Sequence, residues 1–170
     1  MAGTDVKATG SSYKVPFGSR GYLSETAVLD KENPAYFRPH LLGGSVTFDI
    51  DLSKHDGDCL AAVSLVALPA KGNPQHADID GYSFCDADRV GESLCPEFDL
   101  MEANKESWST TPHMCHAPDP DGVYSWCDSH GHCDISMTGL INIGDYGPDF
   151  PMIDTNKPFN FQIQFEAVNG

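Results

Sequence analysis

Two stretches of this chain alternate apolar and polar residues with a period of two. Their apolar members are Val46, Phe48, Ile50 and Leu52 in the first stretch and Phe159, Phe161, Ile163 and Phe165 in the second. Because successive side chains of a β-strand point to opposite faces, this pattern predicts strands with one buried face. No long stretch shows the apolar period of about 3.6 residues that is typical of a helix. We therefore expect an all-β chain folded as a two-sheet antiparallel β-sandwich of the jelly-roll type.

Other segments set the expected limits of the domain. Residues 60–68 form a short apolar run that favours a strand covered on both faces, with a short buried helix as the alternative. Residues 69–81 are rich in turn-forming residues and predict a surface loop. The opening of the chain is small and polar, so we expect a flexible tail over residues 1–12 and a single sandwich domain over residues 13–170. Within that domain, residues 17–25 are a candidate for a short strand.

Three carboxylates, Glu97, Asp99 and Glu102, are crowded into one short segment. In a β-strand Glu97 and Asp99 would share a face, and strict alternation would turn Glu102 to the opposite, apolar face. An unpaired carboxylate is costly there. A β-bulge near Leu100 or Met101 would reset the alternation and return Glu102 to the face of the other two. We expect this bulge, so that all three acids line one concave face of the sandwich.

Crowded carboxylates resist joint ionisation, so one of them keeps its proton at neutral pH while another is charged. This is the arrangement of retaining glycoside hydrolysis, in which a nucleophile and an acid lie about 5 to 5.5 Å apart. Taken alone, the three acids also fit a solvated edge strand of an acidic protein. The residues around them decide between the two interpretations.

Residues 97–104, EFDLMEAN, are followed by TPHMC at 111–115. Together they resemble the active-site strand of glycoside hydrolase family 7, the cellobiohydrolases and endoglucanases, with its pattern E-M-D-I-W-E-A-N and then T-P-H-P-C. Residues 41–53, LLGGSVTFDIDLS, resemble another strand of that family. Family 16 glucanases share a related pattern of three acids, but the TPH-x-C continuation favours family 7.

The resemblance implies a role for each site residue. Glu97 corresponds to the nucleophile, Glu102 to the acid/base, and Asp99 to the residue that orients the nucleophile. His113 would lie beside the scissile bond and contact the substrate. Trp108, between the acids and His113 in sequence, is a candidate platform for stacking on a sugar ring.

Two positions depart from the family pattern. Ser64 stands where the family places a Tyr, and Met101 replaces the Trp that usually lies between the last two acids. The family's N-terminal strands and its C-terminal third, which supply sugar platforms and tunnel-forming loops, have no counterpart in this chain. We therefore expect an open cleft in which internal glycosidic bonds of a chain are cleaved.

Six cysteines indicate an oxidising, secreted setting. No apolar leader follows Met1, so we expect a signal peptide to be absent or already removed. The resemblance implies disulfides between Cys85 and Cys95 and between Cys115 and Cys127. The remaining cysteines, Cys59 and Cys133, would bond to each other or stay free.

The charge of the chain limits its partners. Twenty-five acids against ten bases give a net charge of −15, which disfavours nucleic acid, an anionic membrane and anionic glycans. We expect a neutral β-glucan or oligosaccharide as substrate, and a monomer, although sequence leaves the oligomeric state open. We expect no metal or cofactor, because the spacing of His116, His130, His132 and Cys133 matches no common zinc pattern.

Two functions follow as hypotheses. The first is a retaining glycoside hydrolase that cleaves internal β-1,4-glucosidic bonds. The alternative is a catalytically inactive relative that binds carbohydrate or protein with the same acidic face. Retention of all three acids in motif order favours the enzyme, whereas the missing sugar platforms favour the binding protein.

Overall fold

The structure is a computed structural model that describes residues 7–26, 34–68, 84–90, 92–131, 135–136 and 145–167. In that part of the chain all regular structure is β. The ten strands are β1 (Lys7–Thr9), β2 (Ser12–Lys14), β3 (Ser45–Ile50), β4 (Ala61–Val66), β5 (Glu97–Ala103), β6 (Trp108–His113), β7 (Ile135–Ser136), β8 (Tyr146–Gly147), β9 (Ile153–Asp154) and β10 (Phe159–Gln164). None of the described residues belongs to a helix that could cross a membrane.

The chain forms two compact units, each made of several separate segments. The first unit comprises Met1–Arg38, Ala67–Pro96 and Cys115–Cys127, and the second comprises Pro39–Val66, Glu97–Met114 and Asp128–Gly170. The expected single domain over residues 13–170 therefore stays a prediction.

The first unit contains an antiparallel hairpin of β1 and β2, in which Lys7 pairs with Lys14. This hairpin overlaps residues 7–12 of the expected tail, whose flexibility stays a prediction; residues 1–6 lie outside the described part. The candidate strand at 17–25 is wrong. Only Ser24 in that segment makes a β-bridge, to Tyr36.

Both disulfides that the family resemblance implied are formed in the first unit, between Cys85 and Cys95 and between Cys115 and Cys127. Cys59 is a free thiol, and Cys133 lies outside the described residues. The predicted loop of residues 69–81 also lies outside them.

The second unit contains two antiparallel sheets that face each other. One has the strand order β4-β5-β6-β7, and the other pairs β10 with β3. The two short strands β8 and β9 form a separate parallel pair. The alternating patterns predicted β3 and β10 correctly, and their partly buried apolar residues pack towards the core.

A cluster of large side chains fills the space between these two sheets. Its buried members are Leu52, Met101, Ala103, Trp108 and Tyr146. The ring of Trp108 lies 4.6 Å from that of Phe161 and 5.8 Å from that of Phe159, so the four-stranded sheet packs against β10 through this indole. Burial of aromatic area of this size is the main source of stability for such a sandwich.

Strand β4 forms as expected, but the prediction that it is covered on both faces is wrong. Ala61 and Val63 pack against the core, whereas Ala62 between them is exposed. One face of β4 therefore borders the core and the other does not. That second face carries Ser64.

Candidate active site

A β-bulge interrupts β5 where the sequence predicted one. Asp99 pairs with Thr111 on β6, and the next paired residue of β5 is Glu102, opposite Ser109. Leu100 and Met101 of β5 therefore lie opposite a single residue of β6, Thr110. The bulge is confirmed, and it resets the alternation of side chains between Asp99 and Glu102.

The bulge places the three acids on one face of the sheet. Glu97 pairs with His113 across the β5–β6 ladder, and side chains of directly paired residues point to the same face. The two bulged residues, Leu100 and Met101, are each 1% exposed. Their burial on the apolar side leaves Glu97, Asp99 and Glu102 together on the other face, which they share with His113.

Asp99 is held at both carboxylate oxygens. The Ser64 hydroxyl, from β4, donates a hydrogen bond to Oδ1. On the other side of β5, His113 Nε2 lies 3.1 Å from Oδ2. Because Asp99 is only 6% exposed, these partners replace the hydration that its carboxylate loses.

His113 connects this carboxylate to the backbone after β6. Its Nδ1 lies 2.7 Å from the carbonyl oxygen of Asp128. A carbonyl can only accept, so Nδ1 carries a proton. Nε2 faces a carboxylate, which also accepts, so a proton on Nε2 would point at Asp99 Oδ2. This geometry lets Asp99 and His113 share one proton.

Residues 128–131 lie against β6 beside this pair. The amide of Asp128 donates to the Met114 carbonyl at 2.8 Å. Gly131 has a positive φ of 69°, and a Cβ on it would overlap the methyl carbon of Thr111 and lie 3.6 Å from His113 Cε1. This position therefore has room only for glycine.

Four of the five predicted site residues lie on one face of the sheet: Glu97, Asp99, Glu102 and His113. The fifth, Trp108, does not lie on that face. Trp108 is 2% exposed and lies in the core, with its Nε1 donating to Thr110 Oγ1 at 3.2 Å. The interpretation of Trp108 as a sugar platform is wrong, because its ring faces β10 rather than the three acids.

Sequence reasoning missed three contributors to the site: Ser64, Asp128 and Gly131. The departure of Ser64 from the family pattern was visible, but its hydrogen bond to Asp99 depends on the register of β4. Asp128 contributes a backbone carbonyl, which leaves no signal in the sequence. Its side chain accepts from the His130 amide at 3.2 Å, which helps to fix the loop.

The histidines outside this site do not form a metal cluster among the described residues. The ring of His116 lies 4.4 Å from that of Trp126, which is 43% exposed. His132 and Cys133 lie outside the described part of the chain. The absence of a metal therefore stays a prediction.

Comparison with known proteins bears on this site. No family model matches the chain. The endoglucanase EG-1 of Humicola insolens is 31% identical in an alignment of 169 residues, which covers 82% of this chain and 38% of that protein. The chain is a relative of glycoside hydrolase family 7.

Solved structures of two cellulases share the fold of this chain. The native Humicola insolens endocellulase EGI superposes with a TM-score of 0.56 and 27% identity, over 75% of this chain and 38% of that one. The cellobiohydrolase of Melanocarpus albomyces, complexed with cellotetraose, superposes with a TM-score of 0.65 and 20% identity, over 98% of this chain and 50% of that one. The resemblance to family 7 and the all-β sandwich class are both confirmed. The chain spans half or less of the length of these relatives.

Proposed function

We propose that this protein is a secreted, retaining glycoside hydrolase that cleaves internal β-1,4 bonds of a neutral β-glucan. Glu97 acts as the nucleophile and Glu102 as the acid/base. The observation that carries the proposal is the bulge in β5, which puts Glu97, Asp99 and Glu102 on one face of the sheet. Asp99 lies between the two glutamates and is fixed by β4 and β6.

The spacing of the two glutamates supports double displacement. Their partners on β6, His113 and Ser109, are four residues apart, so the backbone positions are separated by about 13 Å along the sheet. Glu97 and Glu102 share one face of the sheet, so both side chains are available to one substrate. Double displacement requires about 5 to 5.5 Å between the two carboxyl groups.

The chemistry requires only these two carboxyl groups and water. The Glu97 carboxylate attacks the anomeric carbon, the bond to the leaving oxygen breaks, and Glu102 gives its proton to that oxygen. Water then attacks the same carbon, Glu102 takes a proton from it, and the ester bond to Glu97 breaks. Negative charge on Glu97 and Asp99 disfavours ionisation of Glu102, which keeps it ready as the acid.

The substrate class rests on charge and on relatives. A net charge of −15 disfavours an anionic glycan. The relative from Humicola insolens is named an endoglucanase, and the related cellobiohydrolase binds cellotetraose. We therefore propose a chain of β-1,4-linked glucose as the substrate. The two disulfides support an extracellular site of action.

One observation favours the alternative, a carbohydrate-binding relative without activity. Trp108, the aromatic platform that the sequence offered, lies in the core. Its loss leaves the proposed site with fewer contacts for a sugar chain. Sugar binding without turnover is thus the competing outcome of the test.

The test is reducing-sugar release from amorphous cellulose, mixed-linkage glucan, laminarin and xylan. Wild type should release sugar from the β-1,4-linked glucans, and Glu97→Gln and Glu102→Gln should each lower the rate about 100-fold or more. Glu106→Gln, which removes an exposed acid just beyond β5, should keep the wild-type rate.

Full activity in either site variant would contradict the assignment of roles. Folded wild type that binds a cello-oligosaccharide but releases no sugar would support the binding protein instead.

A further inference from the structure

Ser64 occupies a position that the family resemblance leaves unexplained. It lies in β4 directly opposite Asp99, where family 7 places a Tyr. Its hydroxyl donates to Asp99 Oδ1. A serine side chain is too short to cover a sugar, so its contact with Asp99 is what this position provides.

We propose that Ser64 is a positioning residue that fixes the orientation of the Asp99 carboxylate and keeps it charged. The consequence for catalysis rests on the proposed function, in which Asp99 lies between the nucleophile and the acid/base. The contact itself does not depend on that function.

The orientation follows from where the two partners lie. A carboxylate that is held at one oxygen can still turn about its Cβ–Cγ bond, because this torsion is broad. His113 holds Oδ2 from β6, and Ser64 holds Oδ1 from β4. Two partners on opposite sides of β5 fix the plane of the carboxylate across the sheet.

The charge follows from the surroundings of Asp99. Among the described residues of β4, β5 and β6, the titratable groups on the face of Asp99 are Glu97 and Glu102 on β5 and His113 on β6, while β4 offers only Ala62, Ser64 and Val66. The two glutamates favour protonation of Asp99. A hydrogen bond donated to a carboxylate favours its charged form. The Ser64 hydroxyl therefore keeps the shared proton on the imidazole of His113.

The matched test compares Ser64→Thr with Ser64→Val, since these side chains have nearly the same shape and differ in the hydroxyl. Ser64→Thr should behave like wild type. In Ser64→Val the shared proton should move towards Asp99 Oδ2. Nitrogen NMR of the whole protein reports this as a shift of the His113 Nε2 signal from the protonated towards the unprotonated range at constant pH. His113→Gln identifies the signal.

Kinetics supply the second measurement. Loss of a hydrogen bond to a charged group should lower kcat about tenfold in Ser64→Val, with KM within about twofold of wild type. With less negative charge on Asp99, Glu102 should lose its proton more readily. The basic limb of the kcat/KM profile should therefore move to lower pH in Ser64→Val but not in Ser64→Thr.

An Nε2 signal and a pH profile that are the same in both variants would overturn the proposal, because Ser64 would then only fill space. If folded wild type hydrolyses no glycan while the Nε2 signal still moves in Ser64→Val, the proposed function fails and the inference about Ser64 and Asp99 stands.

Discussion

Asp99 is the side chain on which the geometry of the site depends. A buried carboxylate is costly unless each oxygen has a partner, and Asp99 has Ser64 on one oxygen and His113 on the other. The Asp128 carbonyl fixes the ring of His113 in turn. Each partner comes from a different segment of the second unit, so correct pairing of the strands is what completes the network.

Asp86 is a second buried carboxylate, in the first unit, and it predicts a pH dependence of stability. Its Oδ1 accepts the Val90 amide at 2.9 Å, but burial raises the pKa of Asp86 above its ordinary value. Because the pKa is higher in the folded state, the stability that protonated Asp86 contributes is complete at low pH and is lost as the pH rises through the folded value.

Asp86→Asn keeps the acceptor for Val90 and removes the buried charge. We therefore expect the variant to gain free energy of unfolding relative to wild type at pH 7, and to gain less at pH 3. Denaturant unfolding at the two pH values measures both differences. Equal differences at pH 3 and pH 7 would show that burial of this charge has no cost.

The bulge in β5 gives the site its side-chain arrangement. Thr110 Oγ1 donates to the carbonyl oxygen of Leu100 at 3.0 Å, which satisfies a backbone group of a bulged residue. The bulge therefore has a specific partner on β6. It lets a single strand present three acids to one face and two large apolar residues to the core.

Residues 128–131, which lie against β6, allow a prediction about packing. Gly131→Ala should be destabilising for two reasons: its positive φ of 69° strains an L-residue, and the new Cβ would overlap Thr111. Gly57→Ala is the matched control, because its φ is 75° and no atom lies within 4 Å of the added carbon.

We expect Gly131→Ala to cost about 1 to 3 kcal/mol more in the free energy of unfolding than Gly57→Ala. Denaturant unfolding of the two variants measures this difference. Equal losses of unfolding free energy in both variants would mean that the added Cβ of residue 131 does not clash with Thr111 on β6.

Across the chain, the parts that sequence predicted are those decided by local pattern. Alternation fixed the faces of β3 and β10, and the cost of burying Glu102 predicted the bulge in β5. Strand β6 was not predicted, because Pro112 and several hydroxyl residues weaken its pattern. Its described pairing with β7 covers only Ser109 and Thr110, so Pro112 lies outside that ladder.

The errors depend on contacts between distant residues. Trp108 was placed at the site because it follows the acids in sequence, yet it pairs with Ala103 and therefore faces the core. The face of β4 that carries Ser64 was expected to be covered. This prediction was wrong because an apolar run alone does not show which face of a strand packs against another sheet. The partners of Asp99 depend likewise on register and on a backbone carbonyl.

The central claim is that this chain carries out double displacement with Glu97 as the nucleophile. A β-cellobioside with fluorine at carbon 2 and a good leaving group slows the breakdown of a covalent intermediate, so the intermediate can be observed by mass spectrometry. We expect one glycosyl group per chain, on a peptide that contains Glu97, and none in Glu97→Gln. A label on another residue, or hydrolysis that releases product of inverted configuration, would contradict it.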